Sequence, residues 1–298
     1  MTPLPSLKQL HYLVALSEQL NFTRAAEACF VSQPTLSAGL KELENILGTQ
    51  LVERDRQVVL MTRIGLEIAG RARTILAATH DLADLAAGAL EPMTGRLRLG
   101  VIPTIAPFVL PLSLPLLRER YPELQLALRE DVTANLLLRL EDGQLDFALI
   151  ALPYDTANLL VETLFDDALW LVGRKDDPEV QPKTIRVSPS LTDHLLLLEE
   201  GHCLRDHALY ACGESSHQSS TDMEATSLLT LVQMVASGLG VALVPEMAVR
   251  SGLAKSPGLV ARPMSEPSPK RTIALVARRS TSRMEELRIL AGVLRTAF

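Results

Sequence analysis

Three consecutive helical patterns near the N-terminus constrain the fold of this chain more than any other feature. Apolar residues recur at helical spacing over residues 7–17 and predict a first helix. Asn21 can cap a short, alanine-rich second helix, and Ser32 can cap a third that carries Pro34 in its first turn. The third helix has one apolar stripe, made of Leu36, Leu40, Leu43 and Leu47.

These helices predict a winged helix-turn-helix domain over residues 1–61. Gly48 is typical of a helix C-cap, and residues 51–60 resemble two short strands around a charged turn, which would form the wing. The candidate DNA-contacting residues lie at the helix starts and on the wing, where bases and phosphates would be met. They are Thr23, Arg24, Ser32, Gln33, Pro34, Thr35, Ser37, Lys41, Arg54 and Arg56. A small helical bundle with a solvated polar face is the alternative, and Cys29 is assigned to packing.

The charge distribution agrees with such a domain but does not prove it. The net charge is −6, yet residues 1–75 hold eight Lys or Arg against seven Asp or Glu, while the remainder holds 21 against 28. A few well-placed basic groups are enough for phosphate contact. With neither a secretory signal nor an apolar run near the ~18 residues of a membrane span, we expect a cytoplasmic protein with no membrane partner.

A long helical stretch over residues 62–92 follows, starting at the candidate cap Thr62 and ending at Pro92. Heptad spacing gives it two apolar positions, interrupted at Arg71. One position holds Ile68, Ile75, Leu82 and Ala89, and the other holds Ile64, Arg71, Ala78 and Leu85. This linker predicts a dimer that places two reading helices on a pseudo-palindromic DNA site.

The remaining residues, 93–298, predict a regulatory domain of two α/β lobes. Strand and helix patterns alternate as βαβαβ in the first lobe, which favours a mostly parallel sheet. The predicted lobe I comprises residues 93–164 and 270–298, and lobe II residues 165–269. Within them we expect strands at 95–102, 124–128, 145–150, 168–173, 241–244 and 271–276, and helices at 134–140, 226–236 and 282–296. The fold class is α+β overall.

Two cysteines in the second lobe carry the chemistry. Cys203 lies in the segment Gly-His-Cys-Leu-Arg-Asp, and Cys212 follows after eight intervening residues. A neighbouring imidazole and guanidinium would favour the reactive thiolate of Cys203. Nine helical steps span ~13.5 Å, whereas a disulfide needs Cα atoms roughly 4.4–6.8 Å apart, so a bond between these cysteines would require refolding. Two small buried apolar residues are the alternative interpretation.

Beyond the cysteines, the sequence offers one weaker candidate for a ligand site and no motif for a nucleotide or a metal. Thr104 follows a strand and precedes a helix, where open α/β sheets bind ligands. No glycine-rich nucleotide motif and no metal-ligand spacing occurs, so we expect neither cofactor nor metal.

Order, spacing and domain layout over the whole chain resemble the LysR-type transcriptional regulators, whose effector domain has two lobes like a periplasmic binding protein. The segment 201–206 with Cys212, Thr104 and the stretch 269–272 resembles the OxyR-like peroxide sensors of that family. The resemblance implies that hydrogen peroxide oxidises Cys203 to a sulfenic acid and that Cys212 closes a disulfide. It also assigns peroxide-binding or thiolate-stabilising roles to Thr104, Thr133, His202, Arg205, Asp206 and Arg271.

The same resemblance implies partners and leaves alternatives. It implies promoter DNA, a dimer of dimers that rearranges on oxidation, RNA polymerase, and a glutaredoxin or thioredoxin as reductant, with no enzyme activity. One alternative is a LysR-type regulator that senses a small metabolite between its lobes. The other is a thiol peroxidase or disulfide oxidoreductase, which the absence of a CxxC pair disfavours.

Overall fold

The computed structural model describes residues 3–54, 59–88, 92–156, 158–213 and 224–298. Contacts between Cα atoms divide the chain into an N-terminal unit ending near residue 90 and a C-terminal unit that contains most of the rest. Within the described ranges, no helix is both long and apolar enough to cross a membrane.

The N-terminal unit opens with three capped helices. They are α1 (Leu7–Gln19), α2 (Phe22–Ala28) and α3 (Gln33–Leu47). The Asn21 side chain accepts hydrogen bonds from the first two amides of α2 that follow Phe22, and the Ser32 hydroxyl accepts one from the Thr35 amide. Gly48 ends α3 with a φ of 66°, a conformation that costs glycine little. The caps expected from the sequence are therefore confirmed.

The predicted wing is a two-stranded antiparallel sheet. Its strands are β1 (Val52–Arg54) and β2 (Val59–Met61). The backbone of Arg54 forms the last residue of β1, and Arg56 lies outside the described residues. The core of this unit includes the leucines of the α3 stripe, except that Leu47, at the helix end, is 36% exposed.

The linker helix α4 (Arg63–Gly88) begins where it was expected, because the Thr62 hydroxyl accepts a hydrogen bond from the Gly65 amide. Ala69 and Ala72 are buried in the core of the N-terminal unit, and Ile68 packs against the same core. Part of the predicted heptad seam therefore packs against the core of its own subunit and is not available to a second subunit. Apolar side chains that remain exposed on α4 are Ile64, Leu66, Ile75 and Leu82; Ala89 lies outside the described residues.

A seven-stranded mixed sheet organises the C-terminal unit, in the order β4-β3-β5-β9-β6-β7, with β8 also paired to β6. Its strands are β3 (Gly95–Val101), β4 (Leu124–Glu130), β5 (Phe147–Leu152), β6 (Leu159–Arg174), β7 (Ala242–Pro245), β8 (Leu259–Pro263) and β9 (Lys270–Arg278). β3 pairs parallel with β4 and with β5, as expected for the first lobe. The other strand pairs of this sheet, within the described residues, are antiparallel.

One strand is longer than the sequence predicts. β6 begins at Leu159 and not at Ala168, and it crosses the residue at which lobe II was predicted to begin. Its first half pairs with β9, and its second half pairs with β7 and β8. The first half of β6 is only half-buried and contains polar residues, so it lacks the continuous apolar pattern from which a buried strand is predicted.

Helices cover this sheet and complete its cores. They are α5 (Ala106–Arg120), α6 (Thr133–Glu141), α7 (Pro189–Asp193), α8 (Cys203–Ala211), α9 (Leu228–Ala236), α10 (Glu246–Arg250) and α11 (Met284–Thr296). One core surrounds Phe147 and Leu290, and it includes Cys203. Leu204 and Ala208 belong to two further cores, so α8 lies where three apolar clusters meet.

Candidate redox site

Helix α8 joins the two cysteines of interest. His202 precedes the helix as its N-cap, Cys203 is its first residue, and Cys212 is its C-cap. All three cysteines of the chain are thiols in this structure. Because regular helix separates Cys203 from Cys212 by about 13.5 Å at ~1.5 Å per residue, α8 must unwind before the two sulfurs can bond.

Cys203 is buried at the point where its helix meets the loop after β3 and the start of α6. Only 5% of its surface is exposed. The surrounding residues are Ile102, Pro103, Thr104, Val132, Thr133, Gly201 and His202. The space they enclose is too narrow for a water-sized molecule.

The guanidinium nearest this chemistry comes from β9. Arg271 is completely buried and donates hydrogen bonds to the hydroxyl of Thr104 at 2.8 Å and to its carbonyl oxygen at 3.0 Å. Its Nε donates to the Asp167 carboxylate at 3.0 Å, and the Met247 amide donates to the same carboxylate at 3.1 Å. Asp167 thereby holds Arg271, and Arg271 holds Thr104.

Burial raises the pKa of the Cys203 thiol, and this effect exceeds the others that act on it. The charge of Arg271 and the hydroxyl of Thr133 oppose the increase, whereas the charge of Asp206 adds to it. The neutral thiol is therefore the favoured resting form. Thiolate formation depends on Arg271 and Thr133, both of them distant in sequence from Cys203.

Two residues of the motif do not support the thiolate as expected. Arg205 donates to the Glu224 carboxylate at 2.7 Å and to the Leu198 carbonyl at 2.9 Å. Residues two positions apart in a helix point in different directions, so this guanidinium is directed away from Cys203. The carboxylate of Asp206 lies close enough to disfavour the thiolate. In this structure the contacts of Arg205 lie elsewhere, and the peroxide-binding or thiolate-stabilising roles expected of these two residues stay predictions.

The remaining predicted residues do come together. His202 is buried, with its Nε2 atom 3.7 Å from the Glu199 carboxylate. Thr133 is 1% exposed, and its hydroxyl makes no hydrogen bond of regular geometry, although it lies near enough to the thiol to lower the thiol pKa. A buried hydroxyl with unused hydrogen-bonding capacity is unusual and marks a place where a small polar ligand would be accepted.

Sequence reasoning missed Asp167 as a member of this site. It lies 104 residues from Arg271 in the chain, and the register of β6 and β9 places the two opposite each other. No local motif surrounds Asp167, so only the strand pairing could have identified it.

The candidate DNA-contacting surface lies in the other unit. Every candidate there whose side chain is described is exposed, except Ser37, which is half-buried. These residues lie at the start of α2, the start of α3 and along the polar side of α3. Among the described residues, no group of three or more His, Cys, Asp or Glu could hold a metal ion.

Comparison with known protein families accounts for both units. Residues 7–66 match the family described as bacterial regulatory helix-turn-helix protein, lysR family, and residues 91–298 match the LysR substrate binding domain. The chain belongs to the LysR family. As a member of the LysR family it is a DNA-binding transcription regulator and not an enzyme.

Two transcription regulators are among the relatives that are similar to it. The regulator EstR of Acinetobacter baylyi is 45% identical over 99% of this chain and 98% of its own length. The dual regulator OxyR of Escherichia coli is 40% identical over 95% of this chain and 93% of its own.

Two solved structures of OxyR proteins share the fold. A full-length OxyR variant from Pseudomonas aeruginosa, with aspartate in place of a cysteine, has a TM-score of 0.78 at 36% identity and 98% coverage of both chains. A peroxide-bound cysteine-to-serine mutant of Corynebacterium glutamicum OxyR has a TM-score of 0.67 at 36% identity, covering 100% of this chain and 94% of its own. This chain is therefore an OxyR-like LysR regulator.

Proposed function

We propose that this regulator responds to hydrogen peroxide through oxidation of Cys203 followed by a disulfide with Cys212. The observation that carries the proposal is the set of groups around the buried sulfur. Arg271 holds the Thr104 hydroxyl in place at 2.8 Å, and the buried Thr133 hydroxyl has no regular partner. Peroxide needs both donors and acceptors, and two hydroxyls can provide both.

The chemistry balances with the two thiols as the source of electrons. The Cys203 thiolate attacks one peroxide oxygen, the O–O bond breaks, and the leaving hydroxide takes up a proton to become water. The Cys212 thiolate then attacks the sulfenic sulfur, the S–O bond breaks, and the leaving hydroxide takes up the proton lost by the Cys212 thiol to become a second water. Two thiols are oxidised to one disulfide, and one peroxide is reduced to two waters.

Arg271 has the main electrostatic role in the first step. Its charge lowers the pKa of Cys203 against the effect of burial, and it also orients Thr104. His202, buried beside the sulfur, completes the wall of the site. Because only 5% of Cys203 is exposed, we expect peroxide binding to follow a transient opening of the side chains around it.

The second step provides the conformational signal. Disulfide formation unwinds α8, which removes Leu204 and Ala208 from the two apolar clusters to which they belong. Loss of such contacts favours a different packing of the regulatory domain. We propose that this change rearranges the subunits of an oligomer, as a dimer of dimers, and through them the DNA-reading helices.

On the DNA side, we propose that α3 enters the major groove and that the start of α2 and the wing contact the backbone. The contacts are assigned to Thr23, Arg24, Ser32, Gln33, Pro34, Thr35, Ser37, Lys41 and Arg54. The exposed apolar residues of α4, Ile75 and Leu82 among them, supply a dimer contact. RNA polymerase as partner, glutaredoxin or thioredoxin as reductant, and a cytoplasmic location complete the proposal.

The deciding experiment maps thiols by mass spectrometry before and after roughly one equivalent of hydrogen peroxide. We expect the wild type and Cys29→Ser to form the disulfide between Cys203 and Cys212 within seconds. Cys203→Ser should form none and should lose the peroxide-dependent change in DNA binding. If Cys203 reacts no faster than an ordinary free thiol, the proposal is wrong.

A metabolite-sensing regulator is the second candidate, and one observation favours it. EstR, which is 45% identical to this chain, is named an HTH-type transcriptional regulator, whereas the relatives at 40% include hydrogen peroxide-inducible genes activators. In that case Cys203→Ser would leave the response of the regulator unchanged. Many turnovers of peroxide per subunit, in the presence of a reductant, would instead indicate a thiol peroxidase.

A further inference from the structure

His207 is a buried histidine in the middle of α8, and the proposed peroxide chemistry does not use it. It lies four residues after Cys203 and five before Cys212. The residue is 7% exposed, and its two ring nitrogens are shielded from water and make no hydrogen bond of regular geometry. Burying a polar group without a regular partner costs free energy. The reduced form, in which α8 is a regular helix, bears this cost.

The surroundings of His207 keep its ring neutral. Burial, with the nearby charge of Arg271, lowers the His207 pKa from 6.5 to about 4, although the carbonyl of Pro153 opposes this decrease. Charged or titratable groups lie around the helix on several elements: Cys203, Asp206 and Tyr210 on α8 itself, Lys270 and Arg271 on β9, Glu266 before β9, Tyr154 and Asp155 after β5, and Arg186. Lys270 is paired with the Asp166 carboxylate at 2.6 Å. The charge of Arg271 acts against protonation, so a protonated ring is poorly tolerated while α8 stays in place.

Unwinding of α8 changes these surroundings. A disulfide between Cys203 and Cys212 would bring together Cα atoms that regular helix holds ~13.5 Å apart, so the residues between them must form a loop. Loops lie at the protein surface, because a buried loop leaves backbone polar groups without partners. His207 is near the centre of this segment. Its ring therefore reaches water in the disulfide form and can bind a proton there.

We propose that unwinding of α8 is coupled to protonation of His207, so that a lower pH favours the disulfide form over the dithiol form. This inference rests on the proposed function and adds a dependence on pH to it. Oxidation of two protonated thiols by one peroxide gives a disulfide and two waters with no net exchange of protons, so the proton that binds the imidazole comes from the solvent.

The sign and size of the effect follow from the two states of the ring. At pH 8 the ring is neutral in both forms, and the pH has no effect on the equilibrium between them. As the pH falls below 6.5, the exposed ring of the disulfide form binds a proton, whereas the buried ring of the reduced form stays neutral until about pH 4. At pH 5 this difference favours the disulfide form by about thirtyfold relative to pH 8.

The test measures proton uptake while reduced full-length protein is oxidised by hydrogen peroxide in weakly buffered solution with a pH indicator. The disulfide is quantified by mass spectrometry in the same samples. We expect the wild type to take up about 0.9 proton per disulfide more than His207→Gln at pH 5, and nearly the same amount at pH 8. The glutamine amide does not titrate and can still donate to the Pro153 carbonyl. His11→Gln, which changes an exposed histidine of α1, should behave as the wild type does.

Equal proton uptake by the wild type and His207→Gln at pH 5, with the disulfide formed in both, overturns the proton linkage and leaves the peroxide response intact. If the wild type forms no disulfide, the proposed peroxide response is wrong, and the linkage with it. A second readout needs no variant, because the NMR signals of the six histidines can be titrated in the wild type before and after oxidation. One histidine should titrate near pH 4 in the reduced form and near pH 6.5 in the disulfide form. Histidines that all titrate alike in the two forms would refute the linkage.

Discussion

The ion pair between Asp167 and Arg271 offers a sharp test of how the redox site is built. Both side chains are almost completely buried, and Asp167→Asn would remove the negative charge while keeping the shape of the residue. The asparagine could still accept the hydrogen bond of the Met247 amide. Arg271, however, would remain in the interior with no opposite charge.

An uncompensated buried charge determines the expected size of the effect. Removing one partner of a buried pair costs about 3 to 5 kcal/mol, chiefly because the other charge is left unpaired. Burial raises the pKa of the Asp167 carboxyl even though Arg271 opposes it, so the carboxylate itself is not well stabilised here. We therefore expect a loss near the lower end of this range, about 3 kcal/mol.

The neighbouring residue provides the control. Asp166 pairs with Lys270 at the surface, where water screens both charges, so Asp166→Asn should destabilise the domain far less. The single tryptophan, Trp170, lies on β6 beside both positions, and its fluorescence during urea unfolding follows this domain. If Asp167→Asn shifts the unfolding free energy no more than Asp166→Asn does, the role assigned to the buried pair is wrong.

Three further predictions concern the site, the helix and the DNA surface. Thr133→Val should raise the pKa of Cys203 by removing a group that lowers it, which a pH profile of the peroxide reaction would record as a shift to higher pH; an unchanged profile would contradict this. The pKa of His207 falls from 6.5 to about 4 on folding. The free energy of unfolding of the protein therefore decreases as pH falls from 6.5 towards 4, and at pH 5 it is about 2 kcal/mol lower than at pH 8. Urea unfolding at pH 5 and pH 8 should therefore show a smaller pH dependence for His207→Leu than for the wild type. Lys41→Ala should weaken binding to all DNA sequences alike and reduce the salt slope by about one, measured by titrations at several salt concentrations; a change in sequence preference instead would indicate a base contact.

Local signals in the sequence were sufficient for the N-terminal unit. Asn21, Ser32 and Thr62 cap the starts of helices and Gly48 caps the end of one, and capping involves only residues two to four positions away. The same reasoning placed the parallel strands β3, β4 and β5 correctly. It failed for β6, because a strand whose first half is only half-buried carries no uniform apolar pattern.

For the candidate redox site, the motif pointed to Cys203 and Cys212 but not to the buried arginine that lowers the pKa of the Cys203 thiol. Adjacency in the chain suggested Arg205, whereas helix geometry directs that side chain toward Glu224. Arg271 was expected only through the family resemblance. Its contact with the Thr104 hydroxyl spans 167 residues, and no spacing rule reaches so far.

The sequence by itself determined the elements and their order: three capped helices, a wing, a linker helix and an α/β regulatory domain with a pair of cysteines. These depend on periodicity and caps, which are local. Only the tertiary structure decided that burial raises the pKa of the Cys203 thiol and that Asp167 and Arg271 form the support of the site. The physical reason is that desolvation and charge depend on distance through space, and strand pairing brings together residues that are more than a hundred positions apart in the chain.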